Sequence, residues 1–365
     1  MNTDEGKGIR PAGLFIKGGT VIILLPSAQL NTIREGVHCV VKTIEKNGAV
    51  VYPITVPTPY DVGDVNLFLL EEKGELSLID AGIDSEQCWE ALIQMLAERG
   101  FALHDLSRIL ITHNHVDHIG LINQIALHQD TPVYAHPEAI PRMKRDRDFL
   151  TMRIQFFDQL YREMGCGETG VRQVQKLQEA VIANERFKIE PEIIPLTEAD
   201  RIGSFQVVEV FGHAPDHLAF WDSDRSWLFA GDHLIRHISS NAFVEPNREG
   251  RRIRTVVAYV QSLKKCLELD AEIVFAGHGE WIGNHKELIE KRLARIEVKA
   301  GRIRALIHSG IATAYELAQN YYPTKYSQAF SPVMSEIIGL LDYLEAENSV
   351  QKSKSNGIWR YYCVE

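Results

Sequence analysis

The sequence predicts an α/β fold in which sheet layers are covered by helices. Short apolar runs such as Val65-Asn66-Leu67-Phe68-Leu69-Leu70, Ile109-Leu110-Ile111 and Ile273-Val274-Phe275-Ala276 recur along the chain and read as strands. Stretches with apolar residues at helical spacing lie between them. Gly, Pro and Asn-Gly punctuation marks the boundaries. Strand and helix alternate, which is the pattern of stacked layers. With 365 residues, 45% of them hydrophobic and 24% charged, the chain has the makings of one large globular domain or two smaller ones.

In chain order, residues 1–45 form an N-terminal extension, with Gly19 to Leu25 a strand bounded by Gly and Pro. Asn47-Gly48 is a turn signal that joins Cys39–Ile44 to Ala49–Ile54 as a hairpin. Val65–Leu70 and Leu76–Ile79 are strands joined through Lys73-Gly74. Ser85–Arg99 is a helix, because Trp89, Leu92, Ile93 and Leu96 share a face and Gly100 ends it. The strand Ile109–Ile111 follows, then a histidine-rich loop, a helix beginning near His118 and a short strand at Pro132–Ala135.

The long stretch after it, residues of about 137–190, is helical. Phe149, Met152, Phe156, Leu160 and Met164 form one apolar stripe; Val171, Val174, Leu177 and Val181 form a second after Gly165-Cys166-Gly167. This insert is expected either to cap a cleft or to pack elsewhere, a dimer interface included; a cap of Met and Phe would favour an apolar acyl group. Residues 193–238 resume the strand-rich pattern, and a helix at Val256–Leu267 precedes the strand Ile273–Ala276.

Residues 46–284 are thus expected to form the main domain, and residues 285–365 a small C-terminal one. In the latter, Leu288, Leu293, Ile296, Ala300, Ile303 and Ile307 mark a long helix. Thr313-Ala314-Tyr315-Glu316 is a capping box. Ser331-Pro332 starts a further helix, and two strands flank Asn356-Gly357.

A net charge of −10 argues against a chain whose whole surface binds nucleic acid. The five cysteines form no Cys-x-x-Cys pair, so buried free thiols in a reducing cytoplasm are expected rather than a disulfide framework. The first apolar run, Val21 to Leu25, is too short for a membrane span or a secretion signal.

The chemistry is concentrated in Thr112-His113-Asn114-His115-Val116-Asp117-His118-Ile119-Gly120. Imidazole and carboxylate are ligands for zinc and similar ions. Four such groups, at His113, His115, Asp117 and His118, exceed what one metal needs if water is also to bind, so the spacing suggests two neighbouring metals served by one loop. Further His and Asp residues follow other apolar runs, at Asp80, His213, Asp232 and His278.

Together these stretches resemble the metallo-β-lactamase superfamily, whose hallmark is His-x-His-x-Asp-His with outlying ligands in this order. The resemblance implies an αββα sandwich with a helical insert and a small winged-helix-like C-terminal domain. It implies that His113, His115 and His213 hold one divalent ion, that Asp117, His118 and His278 hold a second, and that Asp232 bridges them. Asp80 would orient a ligand from beneath, and Asn66 fits the family's opening strand. The ions would be zinc first, with iron or manganese also compatible with the donors.

The implied activity is hydrolysis of a small ester, thioester or lactone by a metal-activated hydroxide, with Asp117 and Asp232 as the catalytic carboxylates. Two alternatives stay open. One is an RNA or phosphodiester hydrolase of the β-lactamase-like ribonuclease type, with Lys352, Lys354 and Arg360 of the C-terminal strands touching phosphates. The other is an iron-dependent enzyme resembling the persulfide dioxygenases. His217, His233 and His237 lie near ligands and could bind substrate, although hydrogen bonding to neighbouring loops is the simpler role. Asp216 stands where many relatives have Gly. The expected partner is a small-molecule substrate, with no membrane, nucleic acid disfavoured and a homodimer open.

Overall fold

The computed structural model describes residues 14–17, 20–23 and 43–364. Of the expectations above, Gly19, Leu24, Leu25 and Cys39–Lys42 lie outside the described residues.

The first sheet follows chain order: β1 (Leu14–Lys17), β2 (Thr20–Ile23), β3 (Thr43–Lys46), β4 (Ala49–Val56), β5 (Val65–Glu72), β6 (Glu75–Ile79), β7 (Leu106–Leu110), β8 (Val133–Ala135) and β9 (Ile193–Pro195). Its pairs are antiparallel up to β6 and parallel from β6 to β9. Parallel neighbours need crossovers. These are α1 (Glu86–Glu98), α2 (Ile122–Ala126), and the run α3 (Ile140–Met143), α4 (Arg147–Glu163) and α5 (Gly167–Ala183). The second sheet is β10 (Arg201–Ile202), β11 (Phe205–Glu209), β12 (Leu218–Asp222), β13 (Trp227–Gly231) and β14 (Ile273–Ala276), with α6 (Thr255–Leu267) crossing between its parallel last pair. Then come α7 (His285–His308), α8 (Ala314–Tyr321), α9 (Phe330–Ala346) and the hairpin β15 (Val350–Ser355) and β16 (Ile358–Cys363).

Strand alternation sets the layers. Along β5, Phe68 and Leu70 point between the sheets, where they meet Phe205, Phe220, Trp227, Phe229 and Phe275. Phe229 stacks on Phe275 at 4.4 Å, and Phe68 meets both edge-on. Leu67 and Leu69 point outward and are covered by Leu92, Met95 and Leu96 of α1. On the far side, Tyr259, Leu263 and Cys266 of α6 cover Val208, Leu228 and Val274. Helix, sheet, sheet and helix are therefore stacked as αββα.

Ser85 caps α1 by accepting from the Cys88 N–H at 3.2 Å, and the hairpin turns fall at Asn47-Gly48 and Asn356-Gly357. The expected helix near His118 starts later, at Ile122. The backbone before it is committed elsewhere: the Gly120 and Leu121 N–H groups donate to Gly82 and Ala81 O, while Ala81 N–H donates to His118 O. These bonds tie the histidine loop to the end of β6 instead of closing a helical turn.

The insert stripes also shift. In α4 the buried residues are Phe149, Leu150, Phe157, Leu160 and Tyr161, while Met152 and Phe156 are only half-buried. In α5, Val171 faces solvent, and Gly170 and Val174 turn inward. Close approach of the two helices sets this rotation, since a Cβ on Gly170 would stand 2.8 Å from that of Tyr161. Phe157, Leu160 and Tyr161 share a core with Phe330, Val333, Met334 and Ile337 of α9, so the insert packs against the C-terminal helices. Arg252, just before α6, donates to the buried Asp342 of α9 at 2.7 Å and ties that block to the sandwich.

Candidate metal centre

The site forms where strands of both sheets end. The loop after β7 carries His113, His115, Asp117 and His118; the loop after β11 carries His213; β13 delivers Asp232; and the turn after β14 delivers His278. Two groups of donors result: His113, His115, His213 and Asp232, and Asp117, His118 and His278. Asp232 joins them. Its Oδ1 lies 3.4 Å from His118 Nε2, and its Oδ2 lies 3.6 Å from His213 Nε2 and 3.4 Å from His278 Nε2. Asp117 Oδ2 is 3.5 Å from His278 Nε2.

The far side of each ring fixes which nitrogen faces inward. Asp80, an acceptor, takes hydrogen bonds from the Thr112 N–H at Oδ1 and from the Thr112 hydroxyl at Oδ2, both at 2.8 Å. That hydroxyl has one hydrogen, so towards His113 Nδ1, 3.0 Å away, it must accept. Asp80 Oδ2 also takes His118 Nδ1–H at 2.8 Å. His213 Nδ1 donates to Asn241 O at 3.0 Å and His278 Nδ1 to Asp64 O at 2.9 Å. Each of these four rings is thereby left with a bare Nε2 lone pair directed at the cluster.

Those lone pairs converge without donors. His113 Nε2 and His213 Nε2 lie 2.9 and 3.1 Å from His115 Nδ1, which can donate to only one of them. His118 Nε2, His278 Nε2 and Asp232 Oδ1 are buried with no hydrogen-bond partner among the described residues. Buried acceptors facing one another are costly unless a cation lies between them. The donor set therefore fits two divalent ions.

The supports are also built by backbone and small residues. Asn66 donates from Nδ2 to Ala276 O at 2.9 Å and to Gly279 O at 2.8 Å, which clamps the turn holding His278. Gly277 beneath the cluster leaves space that a Cβ would fill, 2.3 Å from Asp232 Oδ1. Asp216 accepts from the Asn114 N–H at 2.8 Å and from its side-chain amide at 2.6 Å, which pins the histidine loop. Thr112, Asn114 and Asn241 carry no metal-ligand signature in sequence, and Asp64 and Asn241 act through carbonyls that every residue has.

His217 and His237, candidates for binding substrate, have other tasks. His217 is fully buried behind the site, where Nε2 accepts the Asp232 N–H at 3.1 Å and the ring stacks on His113 at 4.7 Å. His237 donates from Nε2 to Val62 O at 3.0 Å and lies outside the cleft lining. Hydrogen bonding to neighbouring loops is what both do.

Above the ligands opens a cleft of about 820 Å³. His115, Asp117, His213 and Asp232 form its floor. Arg145, Phe149, Arg153 and Phe157 of the insert, Phe243 of the loop before α6, and Ser335 of α9 are on its walls. The insert thus lines the cleft with one side and packs on the C-terminal helices with the other.

Burial, reinforced by neighbouring imidazoles, holds His113, His115 and His217 well below the ordinary imidazole range; burial also lowers His213 and takes His233 down to about 3. For His118 burial pushes the same way, but Asp232 and Asp80 outweigh it and hold the ring well above that range, so without an ion its Nε2 carries a proton towards Asp232, the proton that an ion would displace. Asp232 is raised by burial but brought well below the usual carboxylate range by His118 and His278. A depressed histidine contributes stability above its unfolded pKa of about 6.5 and loses it as pH falls. His118 contributes in the opposite sense, one group against the five of the site, and burial lowers His136 and His285 as well. Metal-free protein is therefore expected to lose thermal stability between about pH 7 and about pH 5, read by calorimetry. A constant melting temperature over that window would contradict the charge states described.

The sequence model of the metallo-β-lactamase superfamily matches residues 60–278. The probable metallo-hydrolase YqjP of Bacillus subtilis is 31% identical over 302 residues, covering 82% of this chain and 93% of its own. The hydroxyacylglutathione hydrolase GloC of Haemophilus influenzae is 26% identical over 220 residues, 59% of this chain and 86% of its own. Among solved structures, a metallo-β-lactamase family protein from Thermus thermophilus aligns with a TM-score of 0.68 at 25% identity, covering 86% of this chain and 98% of that one. Among the described residues no helix is long and apolar enough to cross a membrane. Fold, converging donors and sequence agree: the chain belongs to the metallo-β-lactamase superfamily and is a metal-dependent hydrolase.

Proposed function

We propose that this chain is a dinuclear hydrolase of small acyl substrates, an ester, thioester or lactone. His113, His115 and His213 hold one ion, Asp117, His118 and His278 the other, and Asp232 both; zinc is the ion proposed. The observation that carries this reading is the set of buried lone pairs on either side of Asp232 that have no hydrogen to accept. Two such ions supply a water that is nucleophilic near neutral pH and a Lewis acid for the acyl oxygen. The chain's own part is to fix the donors. Asp80, Thr112, Asn241 and the Asp64 carbonyl set the imidazole tautomers, and Asp232, held anionic, keeps negative charge between the two groups. Phe149, Leu150 and Phe157 roof the floor of the cleft and exclude water from one side of a bound acyl group.

The size of the cleft suits a small molecule, since ligand pockets run from about 300 to about 1,000 Å³. GloC is named a hydroxyacylglutathione hydrolase, which supports placing an acylglutathione in the substrate panel. The phosphodiester alternative has less support. Lys352 is matched to Glu345 and Lys354 to Glu163, both at 2.8 Å, so two of the three cations offered for phosphates are already paired within the chain.

The test combines elemental analysis with a panel of esters, thioesters, lactones and a phosphodiester on one preparation. About two zinc ions per chain, turnover of an acyl substrate, loss of turnover on chelation and its return on zinc addition are expected. Iron with oxygen consumption, or turnover of the phosphodiester alone, would overturn the reading.

A further inference from the structure

Three arginines face the cleft: Arg142, Arg145 and Arg153. Two are matched within the chain. Arg142 donates to Glu138 Oε2 at 3.2 Å and to Pro246 O at 2.7 Å. Arg153 donates through Nε to Glu245 Oε2 at 2.7 Å and through Nη2 to Glu245 Oε1. Arg145 differs. Its Nη2 donates to Val181 O at 3.1 Å, no carboxylate among the described residues forms an ion pair with it, and its Nε is buried with no partner. A guanidinium on the wall of a cavity, in ion pair with no carboxylate among the described residues, calls for an anionic acceptor.

The backbone gives independent support. Arg145 follows α3 at φ +52°, in the left-handed region. Its N–H donates to Arg142 O and the next N–H, of Asp146, reaches back to Pro141 O. That is the helix-ending turn in which glycine is the ordinary occupant of the left-handed position. Arginine carries a conformational cost there that glycine would not, so the turn itself does not call for this side chain. Arg145 stands on the wall supplied by the insert, whereas the metal donors form the floor, and Glu185 is the leading charge acting on its guanidinium.

We propose that Arg145 binds an anionic group, carboxylate or phosphate, carried by the substrate at the end remote from the bond that is cut, with Phe149, Leu150 and Phe157 against the apolar segment between. The inference rests on the reading of this cleft as an acyl-hydrolase site. It narrows the substrate class from neutral esters and lactones to acyl compounds with a charged tail. Recognition is a binding step and requires no further reactant.

The test uses the metal-loaded full chain and the variants Arg145→Gly and Arg145→Asn. Both replacement residues tolerate the left-handed turn, so the melting temperature is expected to hold or rise. Calorimetry compares hexanoate, adipate and 6-phosphonooxyhexanoate, which share one carboxylate and a chain length and differ at the far end. Wild type is expected to bind one of the two acids with a charged far end about tenfold or more tightly than hexanoate, and the identity of that acid distinguishes carboxylate from phosphate. Both variants are expected to lose the preference while binding hexanoate unchanged.

In parallel, the p-nitrophenyl monoester of adipic acid is expected to show a lower KM than p-nitrophenyl hexanoate in wild type only, with kcat little changed. Equal binding of the three acids, binding of none, or a preference that survives in both variants overturns the proposal. If neither ester is cleaved but the Arg145-dependent binding preference persists, the hydrolase reading fails and the anion site stands. If the esters are cleaved equally and the preference is absent, the reverse holds.

Discussion

Replacing Asp232 with Ala is expected to lower kcat/KM by at least about 10³-fold and to reduce bound metal from two ions per chain to one or fewer. The magnitude follows from what the carboxylate alone does. Its two oxygens lie 3.4–3.6 Å from His118, His213 and His278, so its carboxylate is placed against ligands of both donor groups. Removing it takes away the negative charge that two cations bound at the two donor groups would need between them. It also leaves the lone pairs of those imidazoles facing an empty volume. Losing several kcal/mol of transition-state stabilisation corresponds to three or more orders of magnitude in rate. Asp232→Asn should fall between, because the amide keeps the shape but is neutral and presents hydrogens towards at least one imidazole lone pair. Elemental analysis and steady-state kinetics on the same samples read both effects, with circular dichroism to confirm the fold. Two ions and near-wild-type turnover in the Ala variant would remove the bridge from the proposal.

What sequence can reveal about this site follows from how each contribution is encoded. His113, His115, Asp117 and His118 are legible because such crowded donors have few other uses, and the runs before His213, Asp232 and His278 mark strand ends. The layer order is legible for a similar reason: the period-2 alternation of Phe68 and Leu70 against Leu67 and Leu69 sends alternate side chains to opposite faces of β5.

The supports are not legible. Thr112 looks like any residue after a strand, yet its hydroxyl fixes the His113 tautomer because Asp80, distant in sequence, takes its hydrogen. Asn66 stands out in sequence as a family feature without a task; its amide reaches carbonyls of residues 276 and 279 that have no side-chain signature. The histidine loop mimics a helix start in sequence and fails to form one because its N–H groups are taken by Ala81 and Gly82. The apolar stripe of the insert runs through Met152 and Phe156 in sequence, whereas contact at Gly170 turns α4 so that Arg153 and Phe157 face the cleft. That rotation introduces charge into a wall expected to be apolar.

The second large effect concerns a residue that holds no metal. Asp80→Asn is expected to weaken binding of the ion held by Asp117, His118 and His278 by about 10- to 100-fold. Asp80 Oδ2 accepts from both the Thr112 hydroxyl and His118 Nδ1–H. An asparagine keeps one acceptor oxygen and puts an NH2 in place of the other. If the amide hydrogen faces His118, Nδ1 must turn acceptor and the proton moves to Nε2, the atom required as a ligand. If instead it faces Thr112, the hydroxyl must accept from the amide, and its own hydrogen then points at His113 Nδ1, so the His113 ring is inverted. If the amide takes the Oδ1 position instead, its hydrogens meet the Thr112 N–H, donor against donor, so every placement either inverts an imidazole or breaks the support of the ligand loop, whereas the backbone tolerates the change, because Asp80 sits at φ +56° and Asn adopts that conformation readily. Thr112→Val separates the two branches, since it breaks only the path to His113 and should spare His118. Competition with a chelator of known affinity, followed by metal analysis, should therefore rank second-ion retention as wild type, then Thr112→Val, then Asp80→Asn. Equal retention in all three would mean that ring orientation is set by packing and not by the proton that Asp80 holds.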